Sequence, residues 1–146
     1  MIIYFAYGYN TNSQHMARRC PDAVFLGSAR LLNHKFRFAY HADVVRSRRN
    51  TVNGVLWRLT EQCLRNLDKF EGYPVYYKRR PLLIEQGTKL RKAVVYTMTR
   101  KSDLNLPGPE YLSALLQGYQ EHQVDNGQIY RAIEECENTR SEYVSI

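Results

Sequence analysis

Glu71 stands where a helical pattern places apolar residues, and it is the strongest chemical signal in the sequence. The pattern predicts a helix that begins after Thr60 and ends at Gly72. Its apolar stripe consists of Cys63, Leu64, Leu67 and Phe70. Because successive helical residues are rotated by about 100°, Glu71 lies on nearly the same face as Leu64 and points toward the interior. Burial would raise the pKa of this carboxyl group and prepare it to accept and return a proton near neutral pH.

Two other interpretations of Glu71 remain open at this level. The helix could end at Phe70, which would leave Glu71 as an ordinary residue of the turn. The carboxylate could instead form an ion pair with one of the many arginines. Periodicity alone does not decide among the three interpretations.

Other combinations of reactive side chains are weak. No serine stands in a nucleophile-elbow motif, and Gly8 is not part of a glycine-rich phosphate loop. None of the four histidines has the spacing of metal ligands; they are His15, His34, His41 and His122. We expect all three cysteines to be reduced thiols; they are Cys20, Cys63 and Cys136. A metal site is therefore not expected.

The elements that must position Glu71 begin at the start of the chain. The first twenty residues predict a strand Ile2–Ala6, a tight turn Tyr7–Asn10, and a helix capped by Asn12 or Ser13 that runs through Arg19. Gly8 and Asn10 are expected to adopt left-handed dihedral angles in the turn. The turn thus places backbone groups directly after a buried strand.

Strands and turns alternate through the middle of the chain, and helices end it. Strands are expected over residues 23–32, 36–40, 52–59, 75–85 and 91–99. Asn33-His34 is expected to form a hairpin turn, and Asp43–Asn50 an exposed, arginine-rich loop. The last helices are expected over residues 110–122 and 128–136.

These elements favour one α+β domain over residues 1–146, built on a curled mixed sheet or a small β-barrel with two to four flanking helices. A chain of 146 residues that is 44% hydrophobic and 24% charged is typical of a globular domain, which excludes a disordered chain and a small disulfide scaffold. The longest apolar run, Met1–Tyr7, is too short to cross a membrane and lacks the features of a signal peptide. We therefore expect a cytoplasmic protein with no membrane partner.

The charge is distributed unevenly along the chain. Residues 1–101 contain 19 Lys/Arg and 6 Asp/Glu, whereas residues 102–146 contain 2 and 8, so an acidic helical tail is expected over about 121–146. Basic clusters occur at residues 46–49, 78–80 and 89–92. Together with 12 tyrosines they could bind nucleic acid through charge and stacking. No motif of a nucleic-acid-binding fold is present and scattered charges are typical of a solvated face, so nucleic-acid binding is kept only as an alternative.

Six segments occur in a fixed order over about residues 2–120, which is most of the chain. They are Tyr4–Asn10, Arg19–Ala23, Leu26–Leu31, Gly54–Leu59, Leu67–Gly72 and Pro109–Leu112. Together they resemble the γ-glutamylcyclotransferase-like (AIG2-like) family, which has a Tyr-Gly-Ser-Asn loop after its first strand and a Leu-Asp-x-x-Glu-Gly segment that carries a catalytic glutamate. The resemblance implies the fold of that family for this chain.

The resemblance also implies a reaction. Enzymes of this family convert a γ-glutamyl amide into 5-oxoproline and a free amine or amino acid, because the α-amine of the substrate attacks its own γ-carbonyl. Neither a protein nucleophile nor a cofactor is then required, and the partner is a small γ-glutamyl molecule. Glu71 matches the catalytic glutamate, and the backbone N–H groups of Tyr7–Asn10 match the donors to the oxyanion.

The remaining implied contacts bind the substrate. The matched positions are Tyr4, Phe5, Ala6, Tyr7, Gly8, Tyr9, Asn10, Tyr77 and Tyr111. Tyr76 is the alternative to Tyr77, and packing in the core is the alternative for each tyrosine.

Two positions depart from the family pattern. Tyr9 stands where the family usually has serine, and Thr11 where it has leucine. Tyr9 keeps its backbone donor, but its ring could narrow the pocket or stack on a different leaving group. A non-catalytic member that binds an anionic ligand or nucleic acid through the basic surface therefore stays open, as does a homodimer.

Overall fold

The computed structural model describes the backbone of residues 1–144 and the side chains of residues 1–139. Its strands are β1 (Ile2–Ala6), β2 (Val24–Ala39), β3 (His41–Leu59), β4 (Tyr77–Gln86) and β5 (Lys89–Met98). Its helices are a 3₁₀-helix (Tyr9–Thr11), α1 (Ser13–Arg19), α2 (Glu61–Glu71), α3 (Pro109–Glu121) and α4 (Gly127–Val144). The predicted α+β class is confirmed. No helix in the part of the chain that the structure describes is both long and apolar enough to cross a membrane.

The five strands close into a barrel in the order β1-β3-β2-β4-β5. Neighbouring strands are antiparallel except β1 and β5, which are parallel and pair at Tyr4 and Val94. Of the two predicted architectures, the small barrel is therefore the observed one. Fully buried side chains such as Phe5, Phe38 and Leu56 belong to its core. The three cysteines are free and buried.

Strands β2 and β3 form one long hairpin, which corrects two predictions. The expected turn at Asn33-His34 is instead a bulge in the hairpin. Asn33 has a φ of 59°, and this single residue of β2 lies opposite the four residues 47–50 of β3. The chain reverses at Tyr40, whose φ is 66°. The expected loop Asp43–Asn50 therefore belongs to β3. The polar, arginine-rich composition of this segment favoured a loop. The segment forms a strand because pairing with β2 outweighs the local propensity.

Helix α2 begins and ends where the sequence predicts. The Thr60 Oγ1 atom accepts a hydrogen bond from Cys63 N at 3.1 Å, and Gly72 closes the helix with a φ of 66°. Cys63 and Leu67 are buried as expected. Phe70 is 46% exposed, so this member of the predicted apolar stripe lies outside the core.

The C-terminal helix is longer than predicted. The expected helix 128–136 is part of α4, and α4 packs against β2 with an ion pair of 2.9 Å between Lys35 Nζ and Glu135 Oε1. The acidic tail thus covers part of the basic barrel. Residues 145–146 of the predicted tail lie outside the described residues.

Candidate active site

A cavity of about 480 Å³ lies between the end of β1, the end of α2 and the start of α3. The predicted site residues that line it are Tyr4, Tyr7, Gly8, Tyr9, Asn10, Glu71, Tyr77 and Tyr111. Its exposed lining residues, which we call the mouth of the cavity, are His41, Phe70, Tyr76 and Glu110. The barrel therefore brings most of the predicted residues together.

Glu71 is the last residue of α2 and lies on the cavity wall. Burial raises the pKa of its carboxyl group to about 7, against a smaller lowering effect of the Arg19 charge. Its one hydrogen bond to a described side chain is from Asn10, whose Nδ2 donates to Glu71 Oε1 at 3.4 Å. Within the described residues Glu71 forms no ion pair. Both alternative interpretations, an early helix end and a structural ion pair, are therefore wrong.

The adjoining wall is the loop that follows β1, which includes Asn10. The chain turns there through the 3₁₀-helix, in which Thr11 N donates to Gly8 O at 3.1 Å. The expected left-handed dihedral angles at Gly8 and Asn10 are wrong, since Gly8 has a φ of −122° and Asn10 has no positive φ. Glycine fits at position 8 because an added Cβ would lie 3.1 Å from the Ala42 Cβ atom. Across the described residues, the N–H groups of Gly8, Tyr9 and Asn10 have no acceptor.

Helix α3 holds this loop in place. At Gly118 an added Cβ would lie 2.5 Å from Thr11 Oγ1 and 2.7 Å from Asn12 N, so only glycine allows the helix to approach the loop. Asn12 Nδ2 donates to Ala114 O at 3.1 Å, and Tyr119 Oη donates to Tyr7 O at 2.5 Å. The unpaired N–H groups are therefore fixed by a packed helix.

Several tyrosine hydroxyl groups in the cavity bind the backbone. Tyr77 Oη donates to Ala42 O at 2.7 Å, and Ala42 N donates to Tyr111 Oη at 2.9 Å. Tyr7 Oη donates to Tyr96 O at 2.6 Å. These bonds join the walls of the cavity, and burial raises the pKa values of Tyr77 and Tyr111 so that both stay neutral.

Two of the predicted positions, Phe5 and Ala6, differ from the rest in their surroundings. Phe5 and Ala6 do not line the cavity; both are buried in the core against Gly54. Tyr77 and its alternative Tyr76 both line it, Tyr77 in the interior and Tyr76 at the mouth with its hydroxyl 3.0 Å from His41 Nδ1.

Six further residues that line the cavity were not predicted as site residues. They are Arg19, His41, Ala42, Phe70, Tyr96 and Glu110. His41 and Tyr96 come from strands that are distant in sequence, so no local pattern could connect them to Glu71. The basic clusters at residues 46–49, 78–80 and 89–92 do not line the cavity.

The arrangement suits proton transfer next to a developing negative charge. A carboxyl group that titrates near pH 7 is matched to acid and base catalysis at neutral pH. Unpaired N–H groups on a rigid loop can stabilise an oxyanion without reorganising. Among the described side chains no group of three or more His, Cys, Asp or Glu is placed to hold a metal ion.

Comparison with known proteins assigns the fold to a family. The model of the family described as "Gamma-glutamyl cyclotransferase, AIG2-like" matches residues 4–114. The chain belongs to this family. The match spans both walls of the cavity, from Tyr4 in β1 to the first part of α3.

Several proteins that are similar to this chain are named gamma-glutamylcyclotransferase. Gamma-glutamylcyclotransferase of Bos taurus is 30% identical over 137 residues, which cover 82% of this chain and 71% of the relative. A solved gamma-glutamyl cyclotransferase superposes with a TM-score of 0.76 at 27% identity, covering 83% of this chain and 79% of that one. YkqA from Bacillus subtilis shares the fold, with a TM-score of 0.78 at 22% identity over 93% of this chain and 54% of its own.

Proposed function

We propose that this protein is a γ-glutamylcyclotransferase-type enzyme that converts a γ-glutamyl amide or γ-glutamyl amino acid into 5-oxoproline and a free amine or amino acid. Two facts support the proposal: the relatives named gamma-glutamylcyclotransferase, and Glu71 in a cavity of about 480 Å³. A cavity of this size accommodates a small substrate with several polar groups.

The reaction needs one group that moves a proton. The α-ammonium group of the substrate loses a proton to the Glu71 carboxylate, and the neutral amine attacks the γ-carbonyl carbon. A new C–N bond closes the five-membered ring. The bond from the same carbon to the leaving nitrogen then breaks as Glu71 returns the proton to that nitrogen. The ring nitrogen, which became positively charged in the attack, loses its second proton through Glu71 to the released amine, so the lactam is neutral and Glu71 is ionised again. The substrate atoms are all found in the two products, so no water or co-reactant is consumed.

The loop after β1 stabilises the intermediate. When the amine attacks, the γ-carbonyl oxygen becomes negatively charged, and the unpaired N–H groups of Gly8, Tyr9 and Asn10 donate to it. The tyrosines Tyr4, Tyr7, Tyr77 and Tyr111 line the pocket for the glutamyl group. Phe5 and Ala6 contribute through the packing of β1 and not through side-chain contact, because both are buried in the core.

The observation that carries the proposal is the position of Glu71, whose pKa is raised to about 7 by burial, in the same cavity as the loop that bears those N–H groups. The test is an assay of 5-oxoproline released from a panel of γ-glutamyl amides and γ-glutamyl amino acids. We expect release from at least one of them. A folded protein that releases none would reject the enzyme and favour the non-catalytic alternative, an anion-binding protein that uses its basic surface.

A further inference from the structure

Arg19 is the one arginine among the described residues that line the cavity. It is the last residue of α1. Its guanidinium carbon lies 3.5 Å from the centre of the Phe70 ring and 5.2 Å from that of the Tyr9 ring. Two aromatic faces therefore hold the charge at a fixed place beside Glu71.

The guanidinium group of Arg19 has donors that no described residue uses. Its Nη1 atom donates to His15 O, whereas Nε is buried without a partner. Within the part of the chain that the structure describes, no carboxylate lies within 4.0 Å of Arg19. Burial also lowers the pKa of Arg19. A half-buried guanidinium group whose Nε has no partner is suited to bind an anion that enters the cavity.

Tyr9 explains how this cation is kept in place. Its ring stacks on the Tyr111 ring, with the centres 5.4 Å apart and the planes at 9°, and on the Phe70 ring at 6.0 Å. The aromatic ring at the position where serine is usual in the family therefore forms part of a stack that carries Arg19.

The position of Arg19 indicates which part of a substrate it would contact. In the proposed reaction Glu71 contacts both the α-amine and the leaving nitrogen. The glutamyl group occupies the pocket lined by tyrosines, so the leaving group extends toward the mouth of the cavity, to which Phe70 belongs. Phe70, the chain neighbour of Glu71, carries the guanidinium on its ring. Besides Arg19 and Glu71, the charged residue among the described residues that line the cavity is Glu110, which is exposed. The unpaired cation therefore dominates recognition on the leaving-group side.

We infer that Arg19 binds the carboxylate of the leaving amino acid and selects γ-glutamyl amino acids over γ-glutamyl amines that lack this carboxylate. The inference rests on the proposed function. It assigns a specificity-determining role to a residue of α1, outside the loop and the glutamate that perform the reaction. A charge-assisted hydrogen bond of this kind changes selectivity by about ten- to hundredfold.

The test compares two substrates that differ only in that carboxylate: γ-glutamylalanine and γ-glutamylethylamide. The variant Arg19→Gln is expected to reduce the ratio of kcat/KM for the first over the second by about ten- to hundredfold. Arg19→Lys, which keeps the charge, is expected to restore part of the ratio. Arg18→Gln is the matched control, because Arg18 is exposed on the same helix and does not line the cavity. An equal loss on both substrates would overturn the inference, since the guanidinium would then act on the glutamyl half or on Glu71.

A binding measurement separates this inference from the proposed function. If no substrate yields 5-oxoproline, the proposed function fails, and calorimetry with the same two compounds then tests Arg19 alone. Tighter binding of γ-glutamylalanine that is lost in Arg19→Gln supports the inference. Equal binding of the two compounds, or no binding of γ-glutamylalanine, overturns it.

Discussion

Two carboxylates lie one turn apart on helix α2 and have opposite surroundings. Asp68 accepts two hydrogen bonds from Arg79, from Nε at 2.8 Å and from Nη2 at 3.1 Å, and a third from Tyr96 Oη at 2.6 Å. Among the described residues Glu71 has only the contact of 3.4 Å from Asn10 Nδ2. The same helix therefore holds a fully paired acid and a nearly unpaired one.

This difference separates structural roles from chemical roles. The bonds of Asp68 connect α2 to β4 and β5, and so fix the helix end that carries Glu71. The carboxylate that is left without such bonds is the one whose pKa rises to about 7. A group that can gain and lose a proton at neutral pH must be left partly unsatisfied by the fold.

The largest effect is expected from removing the unpaired carboxylate. The amide of Glu71→Gln cannot accept the substrate proton, so kcat should fall by about 10²- to 10⁴-fold while the fold is retained. The measurement is the rate of 5-oxoproline release, with circular dichroism as the check on folding. Glu61→Gln, an exposed acid in the first turn of the same helix, is the control and should keep full activity. Turnover of Glu71→Gln at the wild-type rate would remove Glu71 from the mechanism.

Removing the paired carboxylate should affect stability instead. Asp68→Ala leaves Arg79 and Tyr96 without their acceptor, so the free energy of unfolding should fall by about 2–3 kcal/mol. Urea denaturation measures this change, and Asp22→Ala, an exposed acid before β2, serves as the control. If both variants unfold at the same urea concentration, the hydrogen bonds of Asp68 contribute nothing to the free energy of unfolding. Asp68 would then have no structural role to set against the chemical role of Glu71.

A smaller and opposite effect on stability is expected at Glu71. Its folded-state pKa of about 7 lies above the value of about 4.3 in an unfolded chain, so the folded protein resists ionisation of this group. The resulting destabilisation is complete well above pH 7 and disappears as the pH falls toward 4. Glu71→Gln should therefore raise the free energy of unfolding by about 1–2 kcal/mol at pH 8, and by much less at pH 5.

Urea denaturation at the two pH values is the measurement for that prediction. Asp68→Asn provides the comparison, since this variant should be less stable than the wild-type protein at both pH values. A gain for Glu71→Gln that is equal at pH 5 and pH 8 would show that ionisation is not its cause.

The smallest effect is expected from the basic strand surface. Arg46, Arg48 and Arg49 are remote from both carboxylates and do not line the cavity. Their combined replacement by glutamine should change 5-oxoproline release by less than about twofold and stability by about 0.5 kcal/mol or less. A large loss of activity would place substrate contacts on the barrel surface, as in the anion-binding alternative.

The helix that carries Glu71 could be predicted because its signals are local. A threonine cap, an apolar stripe and a glycine end lie within thirteen residues, and the observed helix follows them from Glu61 to Glu71. The strand before the loop and the capping of α1 by Asn12 were equally local. Such elements depend on hydrogen bonds between near neighbours, which the sequence shows directly.

The long hairpin and the Arg19 site could not be predicted in the same way. Ala42 and Val44 are buried because β2 lies beside them, whereas the arginines that follow suggested a loop. Arg19 meets Phe70 only after α1 packs against α2, and no spacing along the chain indicates that contact. Contacts between distant segments decided both features.

The pH dependence of kcat/KM for 5-oxoproline release tests the central claim about Glu71 most directly. The wild-type protein should show a rate that rises with pH through an inflection near 7, because only the ionised carboxylate can accept the substrate proton. The residual activity of Glu71→Gln should lack that inflection. A wild-type inflection near 4.5, or the same inflection near 7 in both proteins, would contradict the assignment of Glu71 as the base.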